Sequence, residues 1–349
     1  MADVQIGFVG VGFMGQVAHL FNYSTLPGCK VAALAEIREK LAAKVAAKYG
    51  VPKVYKSHEE MLSSEKLDGV VASQQFQKHG QLLPQLFEKN IAVFSEKPLG
   101  RNVETGEKIL KAAQASKAKY FIGYHKRSDP AVLWAKSEIE RLKASKELGA
   151  FKYVRITMPP GEWTANNAHN VLNSDEAYPH LPDDPATTGK DKAWDDAYVS
   201  FVNYYIHQVN LMRHLLGENY EVSYADPGKM LFVGTSVSGK TCMLEMAPYS
   251  TTVDWQETAL VCFEKGYVKI ELPAPLVINR PGKVTVFKDP GKGVAPQTIT
   301  PELPFVHAMR QQALHFVKAI KGEETPLCKP EEALEDLTVA RQYFAKLHG

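Results

Sequence analysis

The stretch GFVGVGFMG near the N-terminus limits the possible folds more than any other feature of the chain. It contains Gly10-x-Gly12-x-x-Gly15, between a predicted strand and a predicted helix. In such a turn the first glycine permits a tight bend, the second lets a pyrophosphate approach the backbone, and the third lets the helix pack closely. Glu36 ends the next predicted strand about 20 residues further on, where a carboxylate accepts hydrogen bonds from adenosine ribose hydroxyls. These features together predict a dinucleotide-binding turn.

Short apolar runs alternate with helical patterns through the first part of the chain, which predicts parallel strands joined by crossover helices. The predicted strands cover 4–9, 30–36, 68–72, 91–95 and 119–124. We therefore expect an α/β protein whose N-terminal domain, residues 1–125, is a Rossmann-type doubly wound parallel sheet. After Gly149 the strand-like runs are typical of an open, mostly antiparallel sheet. Residues 126–349 are expected to form this second α/β domain, with two C-terminal helices that can pack back on the first.

Composition favours a small molecule or another protein as the partner. The 349 residues include 41 Lys+Arg and 39 Asp+Glu, so nothing builds the basic surface that nucleic acid or anionic lipid needs. No apolar run approaches the ~20 residues that span a bilayer, and the N-terminus lacks a secretory pattern. The four cysteines form no close pair of the metal or redox type. We expect a cytoplasmic protein with reduced thiols.

Two residues bear on the choice of dinucleotide. Glu36 favours NAD, because a carboxylate repels the 2′-phosphate of NADP. Arg38 either stacks on adenine or, if Glu36 turns away, tolerates a 2′-phosphate, and the second possibility keeps NADP open as the less favoured alternative. Phe13 and Met14, inside the glycine turn, are further candidates for cofactor contact.

A lysine follows the predicted strand over 91–95, in FSEKPLG. Glu-Lys-Pro is usually a surface turn with a weak ion pair. Here Lys97 leaves an apolar strand at the carboxyl edge of the sheet, where ligands bind, and Pro98 fixes the chain just beyond. A lysine in that position can donate a hydrogen bond to a substrate hydroxyl and stabilise the alkoxide that forms there.

The glycine turn, Glu36, Glu-Lys-Pro and a histidine on a second-domain helix resemble the glucose–fructose oxidoreductase/inositol dehydrogenase (Gfo/Idh/MocA) family. GYHKRSDP at 123–130 and the C-terminal helices extend the resemblance over essentially the whole chain. It implies NAD(P)-dependent oxidation or reduction of a sugar or polyol hydroxyl, in a homodimer or homotetramer formed through the C-terminal sheet. It also implies that Ser73 and Glu96 line the cofactor and that Lys97 is catalytic. In ASQQFQKHG, Gln74 replaces the family's proline and His79 comes late.

A single helix is predicted over 198–217, in YVSFVNYYIHQVNLMRHLLG. It carries a stripe of uncharged polar residues: Asn203, His207, Asn210 and His214. The stripe lines a cavity or consists of hydrogen-bonded core residues. The resemblance implies that His207 exchanges the proton of the reacting hydroxyl, which suits an imidazole. Asn203 stands where the family often has aspartate, so we expect His207 to be less basic than in such relatives.

The remaining substrate-binding candidates are His125, Arg127, Trp163 and Tyr204, beside Lys97, Asn203 and His207. The long irregular stretch 159–197 is interpreted as a sugar-binding flap, with Trp163 and Trp194 stacking on the sugar, or as an oligomer-contact arm. A metal site from His169, Asp175, His180 and Asp183 lacks tight ligand spacing, so no metal is expected.

Three functions fit these residues. The first is an NAD-dependent sugar or polyol dehydrogenase, in which Lys97 polarises the hydroxyl and His207 takes its proton. The second is an NAD-dependent glycoside hydrolase or lyase with transient ring oxidation and no net redox, which needs a further base such as Tyr204 or His125. The third is a non-catalytic protein that binds NAD and sugar.

Overall fold

The computed structural model describes residues 2–348, which form two compact units that are discontinuous in sequence. The first unit comprises the chain up to Tyr124, Asn166–Asn203 and Met309–Leu337. The second comprises His125–Ala165, Tyr204–Ala308 and the chain from Thr338 onward. The sequence-based division at residue 125 places 166–203 in the second domain, whereas contacts group that segment with the N-terminal unit.

Six parallel strands form the sheet of the first unit, in the order β3-β2-β1-β4-β5-β6. They are β1 Val4–Val9, β2 Cys29–Ala35, β3 Lys53–Tyr55, β4 Gly69–Ala72, β5 Ala92–Ser95 and β6 Tyr120–Ile122. Every residue of β4 and β5 is buried, because crossover helices cover both faces of such a sheet. The strand order reverses between β1 and β4, the place where sheets of this kind bind ligands. The predicted doubly wound sheet is confirmed.

Local capping signals mark some of the helix ends in this unit. Its helices are α1, a π-helical segment Gly15–Leu20 continued by Phe21–Tyr23, then α2 Glu39–Tyr49, α3 His58–Ser64, α4 His79–Phe87, α5 Val103–Ala115, α7 Lys192–Tyr204 and α9 Ala308–Ile320. Ser57 caps α3 and Asn102 caps α5, while α2 ends at Gly50 in the left-handed conformation. Phe316 of α9 packs on Phe94 of β5 with ring centroids 5.5 Å apart.

Eight strands form the sheet of the second unit, in the order β14-β13-β12-β11-β7-β10-β9-β8. They are β7 Phe151–Thr157, β8 Tyr220–Ala225, β9 Leu231–Ser236, β10 Thr241–Glu245, β11 Thr258–Phe263, β12 Gly266–Glu271, β13 Lys283–Lys288 and β14 Gln297–Ile299. Only the β7–β10 pair is parallel among these described strands, so the expected mostly antiparallel sheet is confirmed. The helices α6 Pro130–Ser145 and α8 Ile206–Leu216 pack on one face, and burial alternates along the strands accordingly.

The predicted single helix over 198–217 is wrong in one respect, because Tyr205 separates α7 from α8. Tyr205 has φ −92° and ψ −5°, and its carbonyl accepts hydrogen bonds from both Gln208 and Val209. The last helix, α10 Pro330–His348, belongs to the first unit as far as Leu337 and to the second beyond it. No helix within residues 2–348 has the length and apolar character needed to cross a membrane.

Candidate active site

The glycine turn after β1 has the shape that a pyrophosphate requires. Gly10 has φ +84°, and its N–H donates to the Ala35 carbonyl of β2 at 2.9 Å. A Cβ on Gly15 would lie 2.8 Å from the Gly10 carbonyl oxygen, so only glycine lets α1 approach this closely. A Cβ on Gly12 would meet nothing nearer than Arg38 Nη2 at 3.9 Å. The backbone at Gly12 therefore faces open space that fits a phosphate group.

Glu36 lies at the end of β2, buried, and touches this turn. Its Oε2 accepts a hydrogen bond from the Val11 N–H at 3.1 Å. Arg38 donates to the same carboxylate twice, from Nε at 2.8 Å and from Nη2 at 3.0 Å. The hydrogen bond to Glu36 raises the pKa of Arg38, whose guanidinium also lies 4.9 Å from the ring centre of Tyr178. The two residues that bear on cofactor choice thus form one bidentate ion pair.

Ser73, at the end of β4, stands beside the turn: its Oγ lies 3.4 Å from the position of a Cβ on Gly15. Within residues 2–348 this buried oxygen has no hydrogen-bond partner, and such an atom in a native protein normally has one. An orphaned hydroxyl here fits a polar ligand at the turn. Phe13 and Met14, at the start of the helix, are half-buried.

Glu96 and Lys97 follow β5 on the same carboxyl edge of the sheet. The buried Glu96 carboxylate lies 2.6 Å from His19 Nε2 of α1. Burial raises the pKa of Glu96, but the hydrogen bond from His19 and the charge of Lys97 outweigh it and leave the pKa lowered. Lys97 Nζ donates to the Asn203 carbonyl at 2.5 Å, and the Lys97–Pro98 peptide is cis.

Gln74 and His79, the two departures from the family pattern, both lie close to the residues described above. The Gln74 side chain lies against the glycine turn, with Nε2 2.8 Å from the position of a Cβ on Gly10. His79 is buried at the start of α4, and Nδ1 lies 3.3 Å from the Leu99 carbonyl. Burial lowers the pKa of His79, so it is neutral at physiological pH.

The second unit holds the candidate proton carrier. His207 of α8 meets His125 edge-on, with ring centroids 4.6 Å apart and an interplanar angle of 75°. His125 and Arg127 belong to a buried 3-10 turn, His125–Ser128. Arg127 Nε donates to Asn210 Oδ1 at 2.8 Å. The polar stripe of α8 is therefore partly internal, since Asn210 is buried, whereas Asn203 at the end of α7 is exposed.

A buried ionic cluster that the sequence did not predict lies next to His125. Lys126 Nζ pairs with Glu257 Oε2 at 2.5 Å, and Gln208 Nε2 donates to Glu257 Oε1 at 2.8 Å. Lys126 also lies 5.8 Å from the ring centre of Trp255. No short-range pattern marks Glu257, because the fold alone brings it to this place.

A small pocket, open to solvent, adjoins the same turn, lined by His125, Lys126, Asp129, Arg280 and His307 together with an apolar wall over 272–277. Burial raises the pKa of Asp129 to about 6. Trp163 is half-buried near this wall, where its carbonyl accepts from Leu276 N–H at 3.2 Å. Tyr204 is half-buried against Tyr205. Trp194, by contrast, stacks on Tyr198 in the interior of the first unit, so its predicted sugar contact is wrong.

The segment 166–191, which we call the strap, lies along the first unit rather than away from it. It contacts α1, α2 and the turn before α4 through polar bonds from Gln16 to Leu172, from Lys40 to Asp175 and from Lys78 to Asp183. Asp175 and Asp183, two of the four residues considered above as metal ligands, are thus paired with lysines. Within residues 2–348, no three His, Cys, Asp or Glu side chains are arranged to hold a metal ion.

Residues 4–124 match the model of an oxidoreductase family with an NAD-binding Rossmann fold. Myo-inositol 2-dehydrogenase of Thermotoga maritima is 23% identical over 64% of this chain and 58% of its own length. The chain therefore spans less than two thirds of that relative. Inositol 2-dehydrogenase 2 of Paenarthrobacter aurescens is 23% identical over 99% of this chain and 96% of its own length.

A solved structure of levoglucosan dehydrogenase with NADH and levoglucosan has the same fold. Its TM-score is 0.73 at 15% identity, over 99% of this chain and 97% of that one. The likeness extends through both sheets and therefore covers the second unit, which the family model does not reach.

Proposed function

We propose that this chain, which belongs to the Gfo/Idh/MocA family of oxidoreductases, moves hydride between a nicotinamide dinucleotide and a hydroxyl of a sugar or polyol. One observation carries the proposal: an open glycine turn, the buried carboxylate of Glu36, and Lys97 lie at the carboxyl edge of one parallel sheet. The relatives named above, dehydrogenases of inositols and of levoglucosan, support this substrate class.

The dinucleotide, when bound, supplies the hydride acceptor or donor. Gly12, Ser73 and Glu36 hold it, as the open backbone, the orphaned hydroxyl and the buried carboxylate suggest. Lys97 donates a hydrogen bond to the substrate oxygen and stabilises negative charge on it as the proton leaves. His207 accepts that proton in oxidation and returns it in reduction.

The neighbours of these two residues have positioning roles in this proposal. His125 fixes the ring orientation of His207 by its edge-on contact, and Arg127 holds α8 through Asn210. Trp163, Tyr204 and Asn203 supply a flat ring, a phenol and an amide for sugar hydroxyls. NAD is the favoured cofactor because Glu36 retains its carboxylate at the ribose position.

Replacement of Lys97 by Met tests the assignment, with Lys89→Met in the exposed turn after α4 as the control. Turnover of a panel of inositols, monosaccharides and anhydrosugars, followed by NADH absorbance, should fall by about a hundredfold or more in Lys97→Met. NADH binding, followed by protein fluorescence, should stay close to that of the unchanged chain. Full turnover by Lys97→Met would exclude this mechanism.

A redox-assisted glycoside hydrolase or lyase is the second candidate. Asn203 favours it, because an amide in the place of the family's aspartate cannot take a proton, and Tyr204 stands next to it as a further base. Release of the phenol from an aryl glycoside, dependent on NAD but without net NADH, distinguishes this activity. Binding of NADH with no turnover of either substrate class would instead indicate a binding protein.

A further inference from the structure

We infer that the strap makes the cofactor site selective for NAD, because its Asp175 and Glu176 occupy the groups that would hold the 2′-phosphate of NADP. This inference rests on the proposed dinucleotide site, whose position is fixed by the glycine turn and Glu36. It assigns a specificity role to residues that lie far from that turn in the sequence.

The loop between β2 and α2 is where a 2′-phosphate would bind, because Glu36 marks the adenosine ribose. Three features of that loop attract anions: Arg38, Lys40 and the backbone N–H groups at the start of α2, which have no acceptor within the helix. Without other partners, these features would favour a phosphorylated dinucleotide. The sequence of the loop alone therefore leaves the choice open.

Each of the three features is already bound by a carboxylate of the chain. Glu36 holds Arg38 through two hydrogen bonds of 2.8 and 3.0 Å. Glu176 accepts from the N–H groups of Lys40 and Leu41, both at 3.0 Å, and so caps α2 from outside the helix. Asp175 pairs with Lys40 Nζ at 2.8 Å.

Charge and position make these carboxylates a barrier to phosphate. Burial of Glu176 raises its pKa, but hydrogen bonds from Lys40 and Leu41 outweigh it, so the pKa is lowered and the group stays ionised. The Lys40–Asp175 pair is exposed and contributes little to stability. Tyr178 covers Arg38 from the strap side. A 2′-phosphate would have to displace both strap carboxylates, whereas a ribose hydroxyl meets only Glu36.

The test compares the dissociation constants of NADH and NADPH by fluorescence and calorimetry, without substrate. In the double variant Asp175→Asn/Glu176→Gln, NADPH should bind about tenfold or more tightly relative to NADH than in the unchanged chain. Adding Lys40→Met should reverse most of that gain. Asp183→Asn is the matched control, because it removes a strap ion pair with Lys78 at 2.6 Å that lies away from α2.

The outcomes separate this inference from the proposed function. An unchanged ratio of the two dissociation constants in the double variant would overturn the inference alone. This holds whether both constants stay the same or both change by the same factor, because neither result distinguishes NADPH from NADH. The same ratio change in Asp183→Asn would also overturn it, since any loosening of the strap would then suffice. An unchanged chain that binds neither dinucleotide would overturn the proposed function and this inference together.

Discussion

His19 and Glu96 join the helix after the glycine turn to the strand end that carries Lys97: Nε2 of the imidazole lies 2.6 Å from Oε1 of the carboxylate, and both residues are buried. The ring of His19 also packs edge-on against Phe94. A shift of either residue would therefore be transmitted to the cofactor turn and to the proposed catalytic lysine. No part of the sequence pattern suggests this contact.

Loss of His19 should destabilise the protein strongly. His19→Ala leaves the buried Glu96 carboxylate without its partner, so the free energy of unfolding at pH 7 should fall by about 3 kcal/mol. His58→Ala, at a surface ion pair with Glu59, should cost under about 1 kcal/mol. Urea denaturation followed by circular dichroism measures both. Equal losses in the two variants would contradict the prediction.

Acid should weaken the fold through the same carboxyl group. The pKa of Glu96 is lower in the folded chain than its ordinary value of 4.5, so the group stabilises the fold above pH 4.5. That contribution is lost as the pH falls through the lowered folded pKa. When the pH is lowered from 5 to 3, the free energy of unfolding should therefore fall less in Glu96→Gln than in the unchanged chain. Parallel pH profiles of unfolding free energy would refute this.

His207→Gln should lower kcat by about a hundredfold or more, because proton transfer by a positioned imidazole is lost. NADH affinity should change little. His214→Gln, two turns further along the same polar stripe, provides the control and should keep most of the activity. Steady-state kinetics with the best substrate of the panel decides, and a comparable loss in His214→Gln would point to a general disturbance of α8.

The buried pair of Lys126 and Glu257 should behave as a coupled unit. Lys126→Met or Glu257→Gln alone should each destabilise the second unit by about 3 kcal/mol, since one buried group is left unpaired. The double variant should lose clearly less than the sum of the two. Thermal and urea unfolding of all four proteins completes the cycle, and strict additivity would show that the two charges do not interact.

The helix-free face of the second sheet should carry the subunit contact. Leu260 of β11 lies on this face between Arg155 of β7 and Lys269 of β12. Leu260→Glu should convert a dimer or tetramer to monomers in sedimentation velocity. Val237→Glu, at an 81% exposed hairpin position, should leave the assembly intact. A monomeric unchanged chain, or an assembly that survives Leu260→Glu, would exclude this interface.

The sequence was most informative where one local pattern decides the structure. Buried parallel strands appear as apolar runs, so five strands of the first sheet were found, but β3 was missed because its three residues are partly exposed and lack an apolar run. The break at Tyr205 carries no glycine or proline and gave no signal. Trp194 was misassigned, since only the fold shows that its ring stacks on Tyr198.

The residues of the candidate site likewise fall into those that the sequence predicted and those that it did not. The glycine turn, Glu36 and Lys97 were predicted because their chemistry follows from strand ends and short motifs. Glu257 and Glu176 were not, because their partners, Lys126 and the start of α2, lie more than a hundred residues away in the chain. Charged residues in a long irregular stretch look alike until folding selects which of them meet a partner.

The strap also has a consequence for redesign of coenzyme preference. A redesign that uses the glycine turn as its guide would alter the end of β2 alone, at Glu36. Here that change would leave Asp175 and Glu176 against α2. By the inference above, their negative charge would still repel the added phosphate. If the strap has the inferred role, two distant stretches of the gene need to change together to alter coenzyme preference.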